Sequence, residues 1–237
     1  MQNKPWAPNV VLVDADFLDA LAFDFTVNFE RMLERRIPKA DLCHWIDCVS
    51  LDGGLERGQN EVQVHFLHSK DKGEMKYFRL SKSHDESAPL RFGEDINNQR
   101  FEDALGRFDL FAFPTEKIVG IDELFLQSAS MLLQAEGIGR LLLVGNMEAY
   151  GTTLKRLCTE AKGKEVTLFT MQPEMGRAPI QNDSVSTPQP LSAPATSASA
   201  VAVHPLGCGL PLTRITFIRQ IYATHRQNAT QRSHLRG

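Results

Sequence analysis

The sequence contains little cysteine and no long apolar run. Its four cysteines, spread over 237 residues, form no Cys-x-x-Cys pair, so neither a structural zinc site nor a disulfide scaffold is expected. No apolar stretch approaches the roughly 20 residues that a membrane-spanning helix needs. The first residues, Met-Gln-Asn-Lys-Pro-Trp, lack the apolar core of a signal peptide. We therefore expect a cytoplasmic protein with no membrane partner.

Nucleotide-binding motifs are missing as well. No Gly-x-x-x-x-Gly-Lys-Ser/Thr segment occurs, which excludes a P-loop ATPase at the level of motifs. Gly137 and Gly139 precede a predicted strand rather than follow one, so they do not form a dinucleotide-binding turn. The composition is that of an ordinary globular protein, with 23% charged and 42% hydrophobic residues. These values exclude a wholly disordered or collagen-like chain.

Charge is divided unevenly along the chain. Residues 177–237 contain six Arg, no Lys and one acidic residue, a net charge of +5, whereas residues 1–176 carry −8. An acidic body argues against a broad nucleic-acid-binding face, although it does not exclude a small metal-bearing cleft that meets a phosphate. Because residues 177–203 are rich in Ser, Thr, Pro and Ala and lack periodicity, they favour disorder. We predict a folded domain at 8–172 and a largely disordered linker and basic tail at 173–237.

The folded part alternates strand and helix patterns. Its first half predicts strands at 10–13, 44–51, 62–68, 76–80 and 108–113, a helix at 17–36 and a helical turn at 101–105. Its second half predicts a helix at 121–134, a strand at 140–144, a helix at 147–162 and a strand at 165–170. This succession indicates an α/β domain with a mostly parallel sheet and helices on both faces.

Acidic and amide side chains follow the predicted strands. Asp14 and Asp16 come after the first strand, Asp122 begins the helix at 121–134, and Asn146 and Glu148 come after the strand at 140–144. Residues beyond the carboxyl ends of parallel strands meet at one edge of the sheet. Carboxylate and amide oxygens there favour Mg²⁺ or Mn²⁺, which can activate water and position a phosphodiester. Each acid taken alone is better explained as a helix cap, so the metal-site prediction depends on their common edge.

Three segments in this order resemble the NYN branch of the PIN-like nuclease domains. They are the strand that ends at Asp14, residues 117–122 (Lys-Ile-Val-Gly-Ile-Asp), and residues 144–148 (Val-Gly-Asn-Met-Glu). Residues 163–166 (Gly-Lys-Glu-Val) are also similar to the family's Gly-Lys-x-Val before its last strand. The resemblance covers about residues 9–171. The overall pattern is similar, too, to that of bacterial proteins with no assigned activity.

The resemblance implies a PIN-like fold and a metal-dependent endoribonuclease, that is, a hydrolase acting on RNA. The catalytic residues that it implies are Asp14, Asp122 and Glu148. The same three residues, with Asn146 and Asp16, would hold Mg²⁺ or Mn²⁺.

This chain departs from the family pattern at the third segment. The family's usual Asp-x-Asp is Asn146-Met147-Glu148 here, and its usual Ser is Val144. Asn146 can coordinate through its oxygen but carries no charge, and the longer arm of Glu148 would displace a metal by ~1 Å, enough to lower the rate of catalysis strongly. Two functions therefore stay open: a divalent-metal-dependent ribonuclease, and a catalytically inactive PIN-like module that binds a protein or RNA partner. Whichever holds, the partners to be expected are RNA, another protein or a second copy of the chain in a homo-oligomer. A Rossmann-type enzyme ranks last because its glycine motif is missing.

Overall fold

A computed structural model describes residues 6–80, 88–116, 118–160, 163–170 and 201–205. The longer strands in these residues are β1 (Asn9–Asp14), β3 (Asn60–His68), β7 (Gln99–Asp103), β8 (Gly106–Pro114), β9 (Arg140–Val144), β10 (Glu165–Thr170) and β11 (Val201–Pro205). Four two-residue strands are β2 (Ala40–Asp41), β4 (Glu74–Met75), β5 (Phe78–Arg79) and β6 (Leu90–Arg91). The helices are α1 (Ala15–Leu33), α2 (Leu42–Asp52), α3 (Ile121–Gln134) and α4 (Met147–Glu160), with a π-helical turn at Phe92–Ile96. No described helix is long and apolar enough to cross a membrane.

The longer strands form a seven-stranded sheet in the order β11-β10-β9-β1-β3-β8-β7. All neighbours in it are parallel except β7, which runs antiparallel to β8. The short strands pair separately, β2 with β5 and β4 with β6. The prediction of an α/β domain with a mostly parallel sheet is confirmed.

Strand β1 lies in the middle of the sheet and is buried on both faces. Val11 and Val13 pack with α1 and α2, whereas Val10 and Leu12 pack with α3 and α4. A continuous apolar run is typical of such a strand, since neither of its faces meets water. Each face of the sheet thus has its own apolar core, and helices cover both faces.

Two local predictions in the first half of the domain are wrong. Residues 44–51 are not a strand but belong to α2, whose buried residues Leu42, Trp45, Ile46 and Val49 have helical spacing. Asp41 caps this helix by accepting a hydrogen bond from the His44 amide at 3.0 Å.

Residues 101–105 are not a helical turn. Residues up to Asp103 belong to β7, and the ring of Phe101 stacks on Phe108 of β8 with centroids 4.6 Å apart. Pairing with the neighbouring strand, which periodicity in so short a segment cannot reveal, decides the conformation here.

The predicted linker and tail at 173–237 lie mostly outside the described residues. The exception is 201–205, which form β11 beside β10, with Val166 opposite Val201. The composition of this segment did not predict a strand. The helix predicted at 147–162 is described as far as Glu160.

The chain leaves β1 and β9 toward opposite faces of the sheet. After β1 it enters α1, on the face that α2 also covers, and after β9 it enters α4, on the face of α3. Because β1 and β9 are neighbours, a crevice opens between their carboxyl ends, the usual position of ligand sites in parallel α/β sheets. Asp14 and Asn146 lie at this crevice.

Candidate functional site

Asp14 occupies the centre of the crevice. Its side chain is only 2% exposed. Oδ1 accepts a hydrogen bond from the Phe17 amide at 2.9 Å, which caps α1. Oδ2 accepts a second one from the Tyr150 hydroxyl at 3.1 Å. Both carboxylate oxygens are therefore bonded to donors of the chain itself.

Tyr150 connects three parts of the site. Its hydroxyl accepts a hydrogen bond from the Asn146 amide at 2.7 Å while donating to Asp14. Its ring stacks on Phe125 of α3, with centroids 4.9 Å apart. A Cβ atom on residue 145 would overlap the Tyr150 hydroxyl, so Gly145 leaves the space that the hydroxyl occupies.

The sequence prediction did not include Tyr150. The available signal was its position in the first turns of α4, four residues after Asn146. Side chains in a helix point back toward its N-terminus, which brings the hydroxyl to the end of β9.

Burial is the main influence on the ionisation of Asp14. It raises the pKa of this carboxyl group, the hydrogen bonds from Phe17 and Tyr150 oppose the rise, and the nearby charges of Asp16 and Asp122 add to it, so that the pKa reaches about 6. Burial, followed by the charge of Asp14, also raises the pKa of Tyr150. The phenol therefore stays protonated and donates at neutral pH. Asp16 and Asp122 thus each lie within electrostatic range of Asp14.

Asp16 connects the start of α1 to the loop after β3. Its Oδ2 accepts hydrogen bonds from the Ser69 amide, at 3.2 Å, and from the Ser69 hydroxyl. The Lys72 ammonium lies 3.7 Å from the same oxygen. Asp16 therefore positions this loop beside the crevice.

The remaining predicted site residues lie at helix starts. The Asn146 side-chain oxygen accepts a hydrogen bond from the Ala149 amide at 3.2 Å and so caps α4. Glu148 is exposed in the first turn of α4, and Asp122 is exposed in the first turn of α3. Both carboxylates interact favourably with the positive end of their helix. Lys117, the first residue of the second resembling segment, lies outside the described residues.

These residues fit a resident divalent cation poorly. Among the described residues, no three His, Cys, Asp or Glu side chains form a group that could hold a metal ion. Asp14 has both oxygens bonded within the chain, Asp16 binds Ser69, and the Asn146 oxygen caps a helix. The Asp14 and Asn146 oxygens each keep a second lone pair, but their hydrogen bonds already orient them toward donors of the chain, and Mg²⁺, which binds through one or two carboxylates together with waters, would compete with those donors.

A cleft of about 690 Å³ opens beside Asp16, between α1 and the loop that contains β4. Acidic side chains line it, among them Asp16 and Asp19, and so do the basic side chains of Lys72, Lys76 and Arg91. Asp19 connects α1 to the residues that follow β4, because its Oδ1 accepts hydrogen bonds from the amides of Lys76, at 2.9 Å, and Tyr77. The cleft can therefore bind charged groups of either sign next to the crevice.

Comparison with known proteins gives one match. A family model described as "Family of unknown function (DUF6621)" matches residues 3–187. No curated protein and no solved structure matches the chain. The matched range includes every residue of the crevice and of the cleft.

Proposed function

The chain belongs to this family of unknown function, and from its own geometry we propose that it is a catalytically inactive PIN-like module that binds a partner protein at the crevice. The observation that carries the proposal is the hydrogen bond from the Tyr150 hydroxyl to Oδ2 of Asp14. Asp14 is the residue that the resemblance assigns to metal binding and catalysis. In this chain its carboxylate instead connects β1 to α4.

The topology supports the PIN-like part of the proposal. β1 ends at Asp14 in the middle of a parallel sheet, and the segment after β9 lies next to it. The resemblance, which was based on three segments far apart in the sequence, requires this arrangement.

Charge favours a protein over RNA as the partner. Residues 1–176 carry a net charge of −8, and Asp122 and Glu148 are exposed in the first turns of α3 and α4, the helices that begin at this edge of the sheet. Carboxylates in these positions repel the phosphate backbone of RNA. The adjoining cleft, which has side chains of both signs, suits the mixed charged surface of a protein.

The absence of catalysis is tested by titrating Mn²⁺ into the metal-free protein by calorimetry, in parallel with assays of structured and single-stranded RNA in Mg²⁺ and Mn²⁺. We expect no saturable binding up to about 1 mM metal, because the described residues include no group of three His, Cys, Asp or Glu side chains that could hold the ion, and no cleavage of RNA. Saturable binding near one equivalent that Asp122→Asn abolishes, together with cleavage, would overturn the proposal.

Partner binding is tested with a photo-crosslinking amino acid in place of Glu148, in cells that express the full chain. The control carries the same amino acid in place of Asp24, which is exposed on α1. We expect a discrete product from position 148 alone, insensitive to ribonuclease, and weaker binding of the purified partner to Glu148→Lys. Loss of the product after ribonuclease treatment would identify RNA as the partner, and equal products from both positions would contradict the proposal.

One observation favours the second candidate function, a ribonuclease that uses Mg²⁺ or Mn²⁺. The charges of Asp16 and Asp122 raise the pKa of Asp14 beyond the effect of burial, and a bound cation would relieve this repulsion between carboxylates. Asp14 and Asp122 would then hold the ion, with Glu148 and Asn146 turned toward it from α4 and Asp16 in support. When bound, such an ion supplies activation of water and stabilisation of phosphate charge. The Mn²⁺ titration decides between the two functions.

A further inference from the structure

An open pocket lies on the face of the sheet that α3 and α4 cover. These helices pack on apolar residues of β1, β9 and β10, whereas beside α3, over β3 and β8, a pocket of about 300 Å³ remains. Its walls include Trp6, His65, Phe111, Phe113, Leu124 and Met131. The proposed function makes no use of it.

Aromatic rings form one side of the pocket. His65 lies at the centre of them, with its ring centroid 5.7 Å from that of Trp6, 5.6 Å from that of Phe111 and 5.3 Å from that of Phe113. Phe113 is 42% exposed, and Met131, which faces the pocket from α3, is 52% exposed. Large apolar side chains therefore stand at a mouth that is open to solvent, and ring faces and edges are available for contact with a planar molecule.

The polar groups of the pocket are uncharged. Gln63 and Ser128 line it together with His65, and its described lining includes no acidic, Lys or Arg side chain. Burial lowers the pKa of His65 to about 4, so at neutral pH its ring is uncharged, with one N–H donor and one acceptor nitrogen. An ionic ligand would lose its hydration here without gaining an opposite charge.

We propose that this pocket binds a small, uncharged, planar aromatic molecule. Its volume corresponds to the lower end of small-molecule sites and accommodates one ring system. Aromatic walls give contact area to a flat ring, and the three neutral polar side chains can orient a single amide or hydroxyl group on it. The apolar surface is a concavity of this size rather than a flat face, which favours a small molecule over a macromolecular partner.

The pocket adjoins the crevice without being part of it. Leu12 lines the pocket and precedes Asp14 by two residues on β1, a distance of about 7 Å along the strand. Helix α3 contributes Leu124 and Ser128 to the pocket and Asp122 to the crevice. Binding in the pocket does not depend on whether the crevice is catalytic or inactive.

Three matched probes test the proposal on the full chain by ligand-observed NMR titration. Benzamide is neutral and aromatic, benzoate carries a charge on the same ring, and cyclohexanecarboxamide has the same amide on a saturated ring. We expect benzamide to bind with a Kd of about 1 mM or lower, as its size allows. We expect benzoate and cyclohexanecarboxamide to bind about tenfold more weakly or not at all.

Substitutions on α3 locate the binding site. Ser128→Phe fills the pocket and should abolish benzamide binding, whereas the control Gln127→Phe, at an exposed position on the same helix, should leave it unchanged. Met131→Lys, at a half-exposed position where folding tolerates a charge, should weaken benzamide binding and strengthen benzoate binding. The proposal fails if benzamide does not bind, if all three probes bind equally, or if both Ser128→Phe and Met131→Lys retain full affinity.

Discussion

The hydroxyl of Tyr150 donates a hydrogen bond to Oδ2 of Asp14 at 3.1 Å, across 136 positions of the sequence. The bond joins the first strand of the domain to its last described helix, α4. It also engages the carboxylate oxygen on which a metal site at this edge would depend. Three consequences of this arrangement can be measured, and a fourth prediction concerns Asp47 on α2.

Removing the hydroxyl should destabilise the fold. In Tyr150→Phe, Oδ2 of Asp14 and the Asn146 amide both lose their partner in a buried position. We expect the free energy of unfolding in urea at pH 7 to fall by about 1–3 kcal/mol. The control Tyr77→Phe, at a partly exposed ring, should change it by less than about 0.5 kcal/mol. Equal losses in the two variants would mean that the hydrogen bonds of Tyr150 contribute nothing specific.

Replacing Asp14 by Asn should change how stability depends on pH. The pKa of Asp14 in the folded protein is raised to about 6, mainly by burial. The protonated group therefore stabilises the folded state fully below about pH 4, and this contribution to the free energy of unfolding is lost as the pH rises through 6. A pKa rise of this size corresponds to about 3 kcal/mol. Between pH 4 and pH 7.5, the free energy of unfolding of Asp14→Asn should therefore rise relative to that of the parent, by at most this amount.

The control for that comparison is Asp24→Asn, at an exposed position on α1. The free energy of unfolding of this control should differ from that of the parent by the same amount throughout this pH range. If Asp14→Asn also runs parallel to the parent, Asp14 does not titrate near pH 6.

Gly145 should tolerate no side chain while Tyr150 is present. A Cβ atom at this position would overlap the Tyr150 hydroxyl, and we expect Gly145→Ala to lower the free energy of unfolding by about 1–3 kcal/mol. In the double variant Gly145→Ala/Tyr150→Phe, the total loss should be smaller than the sum of the two single losses, since both substitutions act on the same hydroxyl. The control Gly93→Ala adds a Cβ that meets no atom within 4 Å. Strict additivity in this cycle would contradict the overlap.

Asp47 on α2 should destabilise the domain at alkaline pH. Burial, then the hydrogen bond that the protonated group donates to Asp103 and the charges of Asp103 and Asp41, raise the pKa of Asp47 to about 8. Its Oδ1 is buried without a hydrogen-bond partner among the described residues. The stabilisation from the protonated group is complete below about pH 4 and disappears as the pH rises through 8.

We therefore expect Asp47→Asn to gain stability over the parent at pH 9 and to lose that advantage at pH 5, in urea unfolding at both pH values. The control Glu56→Gln, at an exposed position, should show no such difference. An advantage of Asp47→Asn that is the same at both pH values would show that the pair with Asp103 does not share a proton.

Local patterns were sufficient for the central part of the fold. The bounds predicted for the helix at 121–134 and for the strands at 140–144 and 165–170 agree with α3, β9 and β10. Helix α3 is long and amphipathic and β9 is almost entirely apolar, so their own patterns decide their conformation, and β10 is rich in the β-branched and aromatic residues that favour a strand. His65 and His68 also lie on opposite faces of the sheet, as their spacing predicts: His65 contacts Trp6, whereas His68 stacks on Phe92 with centroids 4.0 Å apart.

The candidate site was predictable only in part. The order of strands and helices placed Asp14, Asp16 and Asp122 near one edge of the sheet, and the charges of the latter two do influence Asp14. Which partner each oxygen has could not be predicted. That depends on Gly145 leaving room for the Tyr150 hydroxyl and on Ser69 reaching Asp16 from the loop after β3.

The sequence by itself determined the α/β class, the central strands and the edge at which the acids lie. These features depend on apolar periodicity among neighbouring residues and on the order of elements along the chain, neither of which requires knowledge of the packing. Only the tertiary structure decided that Asp14 is bonded to a tyrosine 136 positions away, that residues 44–51 are helical, and that an aromatic pocket stays open beside α3. The physical reason is the same in each case. A hydrogen bond, a strand pair or a cavity depends on groups that only packing brings together, and no local pattern of residues specifies them.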